Sequence, residues 1–218
     1  MAKRFELIVF DWDGTLMDSA AAIVAAIQAS ARDLGVEPPS DERARHIIGL
    51  GLNDALRIVM PDLDPTRYPE AANRYRHHYL SCDHELDLFA GAFEMVEALG
   101  EVGFMLAVAT GKSKNGLLRA LAGSGLERFF HATRCADECH SKPHPQMLLE
   151  LMDEFAVTPE RTLMIGDTTH DLLMARNAQV PALAVAYGAH PREVLEAEAP
   201  LLCAGNVAEV HAWLMQNA

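Results

Sequence analysis

Two aspartates stand one residue apart where an apolar run stops: Phe5 to Phe10 leads into Asp11-Trp12-Asp13-Gly14-Thr15. The run reads as a buried strand of a parallel sheet. Open α/β sheets bind ligands in the crevice beyond the carboxyl ends of their strands, so both carboxylates are placed for chemistry. Residues two apart on extended backbone point the same way, which lets Asp11 and Asp13 share one site. Gly14 permits a tight turn that brings backbone N–H groups close to a ligand. A strand followed by an acidic turn leaves the same local pattern, so the other strand ends must decide.

Three further stretches carry matching groups. Phe104 to Thr110 ends in Thr110-Gly111-Lys112, offering a hydroxyl suited to an oxyanion. Ser141-Lys142-Pro143-His144-Pro145 holds one of only four lysines in the chain, its backbone restrained by Pro143. Leu163-Met164-Ile165 runs into Gly166-Asp167, and Asp171 follows one helical turn later, so both carboxylates can face one metal. Singly, these also read as a terminating turn, a surface lysine and an N-cap pair favoured by the helix dipole.

The elements that position these groups alternate. Strands are expected at Phe5 to Phe10, Phe104 to Thr110, Phe129 to Arg134, Leu163 to Ile165 and Ala182 to Ala186, with an edge strand at Leu201-Leu202. Helices are expected at Phe93 to Glu101, Asn115 to Leu121, Pro145 to Phe155, Thr169 to Ala178 and Val207 to Met215. Such alternation implies a parallel sheet with right-handed crossovers. Between the first two strands lies a block with helical patterns at Ala20 to Leu34, Asp41 to Ile48, Asn53 to Met60 and Thr66 to Ser81. It has no convincing strand and reads as a helical insertion.

The chain of 218 residues has a net charge of −13, which argues against a nucleic-acid or anionic-membrane surface. No apolar run is long enough to span a membrane, and the basic start Met1-Ala2-Lys3-Arg4 precedes a run too short for a signal peptide. Cys82, Cys135, Cys139 and Cys203 form no framework and read as free thiols of a cytoplasmic protein. Cys135 and Cys139 lack a second ligand pair at zinc spacing. His77 and His78 point apart and read as surface or interface residues.

The order D-x-D-G-T, then Thr, then Lys-Pro, then G-D-x-x-x-D resembles the haloacid dehalogenase-like hydrolase superfamily over nearly the whole chain. Lys142-Pro143-His144-Pro145 and Ala186-Tyr187-Gly188 look most like its phosphoglycolate phosphatase branch. Two positions depart from the pattern: Trp12 where Phe or Leu is usual, and Gly111 where Asn or Ser is common. The resemblance implies an α/β fold, a Rossmann-like parallel-sheet core domain (1–15 and 90–218) with an inserted all-helical cap domain (16–89). It implies Asp11 as nucleophile, Asp13 as general acid and base, and Thr110 and Lys142 holding the phosphoryl group, with Gly14 and Gly111 in the phosphate site. Asp11, Asp13 (through its carbonyl), Asp167 and Asp171 look like Mg²⁺ ligands.

Charge supports a cation. Four carboxylates give −4 and Lys142 returns only +1, so a phosphate dianion would be repelled without one. No lysine lies between Leu16 and Ala90, which removes the Schiff-base lysine of phosphonate-cleaving relatives. Arg43, Arg45 and Arg57 flank Gly49-Leu50-Gly51 and are candidates for a second anionic group of the substrate, or solvated helix faces. The expected partner is a small-molecule phosphate ester, 2-phosphoglycolate among the candidates, with no nucleic acid or membrane and a monomer or homodimer. A phosphomutase on the same fold and a phosphoacceptor signalling domain remain as alternatives.

Overall fold

The computed structural model describes residues 3–218 apart from the side chain of His84; Met1 and Ala2 of the basic start lie outside the described residues. Strand β1 (Leu7–Phe10) pairs in parallel with β2 (Met105–Thr110) on one side and β4 (Thr162–Gly166) on the other. Strands β3 (Ala132–Cys135), β5 (Ala182–Val185) and β6 (Cys203–Ala204) complete the order β3-β2-β1-β4-β5-β6. The chain thus builds outward from β1 in one direction and then returns to its other side. β1 is the point where strand order reverses, and the crevice at its carboxyl end is the expected ligand site.

Alternation along β1 feeds two cores. Ile8 and Phe10 pack with Met95, Val96 and Leu99 of α5 (Ala92–Val102), Leu117 of α6 (Lys114–Ser124), and Val210 and Leu214 of α10 (Val207–Asn217). Leu7 and Val9 face Met147, Leu148 and Leu151 of α7 (Gln146–Phe155) and Met174 of α8 (Thr169–Asn177). With both faces covered, the strands need continuous apolar sequence, which they have.

The segment between β1 and β2 is helical: α1 (Ala20–Asp33), α2 (Asp41–His46), α3 (Leu52–Val59) and α4 (Tyr68–Leu80). It has its own apolar cluster, including Ile23, Ile27, Leu34, Leu56, Met60 and Tyr79. Its two connections to the sheet run side by side, with Met17 bridging Leu88, Phe89 N–H donating to Leu16 and Asp18 N–H to Asp87.

Two strand boundaries and one short helix differ most from the sequence expectation. The strand expected from Phe129 begins at Ala132, because Glu127–Phe129 form a 3₁₀ turn that packs Phe129 edge-on against Phe93. The edge strand is regular at Cys203–Ala204; Leu201 N–H already reaches Ala182 O at 2.8 Å, but the Leu201 side chain is solvent-exposed. The five-residue helix α9 (Arg192–Glu196) after Pro191 was too short to show a period.

Candidate active site

The carboxyl ends of β1, β2 and β4 bring Asp11, Thr110 and Asp167 to one edge of the sheet, all buried. The loop after β3 delivers Lys142, whose side chain is fully enclosed, and the first turn of α8 delivers Asp171. Lys142 Nζ lies 2.8 Å from Asp11 Oδ1 and 2.6 Å from Asp171 Oδ1. Burial opposes charge on Lys142, but the two carboxylates more than offset it and hold its pKa above the usual lysine range.

Asp171 Oδ2 is committed to the helix it starts, accepting from Thr168 N–H at 3.1 Å and Thr168 Oγ1–H at 2.6 Å. This is a capping box, the local reason the chain enters α8 here. Asp167 Oδ1 accepts from the Thr15 hydroxyl and Oδ2 from Ala189 N–H. Gly14, at φ +84°, and Gly188 are required here, because a β-carbon at either would run into the Asp167 carboxylate.

Asp11 is the exception. Neither of its oxygens accepts a well-directed hydrogen bond from any described residue, although both are buried. Burial pushes its pKa up to about 7, with Lys142 opposing and Asp171 and Asp13 adding to the rise. Burial, then Asp11 and Asp171, likewise raise Asp167 well above the carboxylate range. Ligand oxygens of Asp11, Asp167 and Asp171 all lie within 4.8 Å of one another. Buried polar atoms without partners are rare, and three crowded carboxylates beside one lysine lack positive charge. The arrangement fits a hard cation bound by oxygen.

A model of the haloacid dehalogenase-like hydrolase family matches residues 8–185, a span that holds nearly all of β1, the whole of β2 to β5, and Asp11, Asp13, Thr110, Lys142, Asp167 and Asp171. The chain belongs to the haloacid dehalogenase-like hydrolase family. Among curated relatives, the "Probable phosphatase IndB" of Dickeya dadantii is 37% identical over 94% of this chain and 91% of its own length. A phosphoglycolate phosphatase of Agrobacterium fabrum is 32% identical, covering 84% and 81%. The haloacid dehalogenase-like hydrolase SP0104 of Streptococcus pneumoniae superposes with a TM-score of 0.83 at 26% identity, covering 96% and 98%.

In this haloacid dehalogenase-like chain Asp13 sits apart from the three clustered carboxylates. Its oxygens accept two bonds from Lys112 Nζ, each 2.9 Å, and one from Ser19 Oγ at 2.8 Å. Lys112 also donates to Tyr79 OH at 3.0 Å. Thr110 Oγ1 accepts from Lys112 N–H, which leaves the Thr110 hydroxyl hydrogen to donate elsewhere. Sequence reasoning did not single out Lys112, Ser19 or Tyr79. The one signal was Lys112 itself, a lysine two residues past a strand end.

Besides the Ser19 and Tyr79 side chains, the helical segment reaches the site through backbone. Gly51 N–H donates to Ser141 Oγ at 2.8 Å. The His46 carbonyl, at the end of α2, accepts from both His170 Nε2 (2.7 Å) and His190 Nε2 (3.1 Å). A carbonyl only accepts, so both rings carry their proton on Nε2, and His190 Nδ1 accepts from Thr169 N–H. Burial, with His170 alongside, pushes His190 down to about 4. Arg43 turns instead to Ile58 O, and Arg57 lies over the Tyr68 ring. His78 pairs with Asp33 at the surface.

Gly111 explains itself by what lies above it. A β-carbon there would stand 2.5 Å from both Gly49 O and Leu50 O, so the backbone of the Gly49-Leu50-Gly51 loop occupies the space a side chain would take. Gly111→Ala should therefore lift this loop at a cost of about 1–3 kcal/mol. Because ångström-scale misplacement is costly in catalysis, kcat/KM should fall about 10- to 100-fold in protein of native circular dichroism. An unchanged kcat/KM would show that the docked loop is not needed.

Proposed function

We propose that the chain is a Mg²⁺-dependent phosphatase of small phosphorylated metabolites, working through an aspartyl-phosphate. The observation that carries this reading is Asp11: a buried carboxylate at the strand-order reversal whose oxygens accept no well-directed hydrogen bond and whose close cation is the Lys142 ammonium at 2.8 Å. The names of the relatives support the same class. Residues 16–89 act as the cap over a core formed by 1–15 and 90–218, with Met17 and Leu88 side by side at its base.

Asp11 and Asp167, with the Asp13 carbonyl, would hold the cation; Asp171, already engaged by Lys142 and Thr168, fixes their arrangement. When bound, Mg²⁺ supplies the positive charge that lets a phosphate dianion approach these carboxylates. One Asp11 oxygen attacks phosphorus, and the bond from phosphorus to the ester oxygen breaks. The leaving oxygen takes its proton from Asp13, which Ser19 and Lys112 hold in direction. Lys142 and the free hydroxyl hydrogen of Thr110 stabilise the phosphoryl oxygens during transfer. Asp13 then takes a proton from the water that attacks the phosphorus of aspartyl-phosphate, releasing inorganic phosphate and restoring Asp11.

The test is Mg²⁺-dependent phosphate release from 2-phosphoglycolate, sugar phosphates, pyrophosphate and nucleoside monophosphates. Release that peaks on one member supports the reading and names the substrate, with 2-phosphoglycolate expected to lead. No release from any member by folded protein would contradict it and favour a mutase.

A further inference from the structure

The proton donor of the proposed reaction is held by the helical segment as well as by the core. Ser19 stands at the N-cap of α1, yet its buried hydroxyl does not cap the helix and donates to Asp13 Oδ1 at 2.8 Å. On the other side, Lys112 Nζ stands 2.9 Å from each Asp13 oxygen and 3.0 Å from Tyr79 OH. An ammonium has three hydrogens, so these contacts use them all. Its charge also lies 4.6 Å from the centre of the Tyr79 ring.

A lysine ammonium rides on a flexible four-carbon stem, so it can direct Asp13 only if it is itself fixed. Lys112 also lines a cavity of about 800 Å³ whose wall carries Asp83, Asp87 and Glu94, with Arg119 3.8 Å from Asp83. These carboxylates draw the ammonium outward, away from Asp13. Tyr79 opposes that movement. Its ring is buried in the apolar cluster of the helical segment and stacks on Tyr75, one helical turn earlier on α4, with centroids 5.8 Å apart. Burial, then Asp13 and Asp83, hold its pKa above the usual tyrosine range, so its oxygen stays a neutral acceptor for Lys112.

Building on the phosphatase reading, in which Asp13 gives and takes the proton, we infer that Tyr79 is a positioning residue for Asp13, acting through Lys112. Its hydroxyl and ring face keep the ammonium on the Asp13 side of the cavity. The ammonium in turn keeps the carboxyl group directed at the ester oxygen and then at the attacking water. The aim of the proton donor thus depends on where α4 sits.

The experiment measures kcat and KM on the alkyl phosphate that wild type turns over fastest, expected to be 2-phosphoglycolate. It compares wild type, Tyr79→Phe, Lys112→Met and the double variant. The burst of p-nitrophenolate from p-nitrophenyl phosphate is read beside it, because that leaving group departs without a proton. Tyr79→Phe keeps the ring and removes the hydroxyl. It should lower kcat on the alkyl phosphate about tenfold, with KM within about twofold and the burst rate lowered less than about twofold. Lys112→Met should lower kcat about 50-fold, and adding Tyr79→Phe should cost less than about a further twofold, since no ammonium is left to hold. Equal losses in kcat and burst rate in Tyr79→Phe would show a structural role and overturn the inference, as would an unchanged kcat. Losses that multiply in the double variant would also overturn it, by placing Tyr79 directly on Asp13 or the substrate. Failure of the phosphatase reading looks different: wild type would then release neither phosphate nor p-nitrophenolate, which would overturn both.

Discussion

Asp11→Asn is expected to lower phosphate release by about 10⁵-fold while leaving the protein folded. The amide has nearly the same shape as the carboxylate but cannot attack phosphorus, so the covalent route is closed whatever else remains in place. The structural consequence should be small because two effects oppose. Lys142 loses one of two partners but keeps Asp171 at 2.6 Å. The substitution also removes a buried charge crowded by Asp167 and Asp171. These terms cancel to within about 2 kcal/mol, so Tm should lie within roughly 8 °C of wild type. Steady-state kinetics and a thermal melt, run together, check this. More than 1% residual activity would remove Asp11 from the role of nucleophile.

Removal of the cation should have the next largest effect. In chelator, activity should fall by at least about 10³-fold and return on adding Mg²⁺, since the carboxylates otherwise repel a dianionic substrate. The same cation should stabilise the fold: at a hundred times its dissociation constant it adds about 2.7 kcal/mol, a Tm rise of roughly 5–10 °C for a chain of this length. Asp167→Asn separates charge from binding. It should abolish both activity and the Mg²⁺-dependent rise in Tm. It should also raise the metal-free Tm by about 2–4 °C, because burial and two neighbouring carboxylates oppose charge at Asp167. Full activity in chelator, or a metal-free Tm that falls in Asp167→Asn, would contradict this assignment.

The sheet was legible because its strands are buried on both faces and written as unbroken apolar runs, as at Leu7–Phe10 and Met105–Thr110. Boundaries slipped where tertiary contact outweighed pattern. Phe129 is apolar and strand-like, yet packing on Phe93 holds it in a 3₁₀ turn. At the site, Asp11, Thr110, Lys142, Asp167 and Asp171 converge because each stands at the same end of a parallel sheet, a property sequence order alone conveys. What sequence did not convey depends on contacts between distant segments. Nothing local marks His46, His170 and His190 as a group, since one backbone carbonyl gathers them. Lys112 resembles any exposed lysine after a strand until Asp13 is seen 2.9 Å away. Gly111 is unusual in sequence, but its reason lies in the backbone of Gly49 and Leu50 above it.

The central claim is that Asp11 itself becomes phosphorylated. Rapid acid quench of the protein turning over 2-phosphoglycolate with Mg²⁺, followed by borohydride reduction and peptide mass spectrometry, measures this directly. The predicted result is homoserine at position 11, absent without substrate and absent in chelator. Homoserine at position 13, 167 or 171 instead, or none anywhere while phosphate is being released, would contradict it.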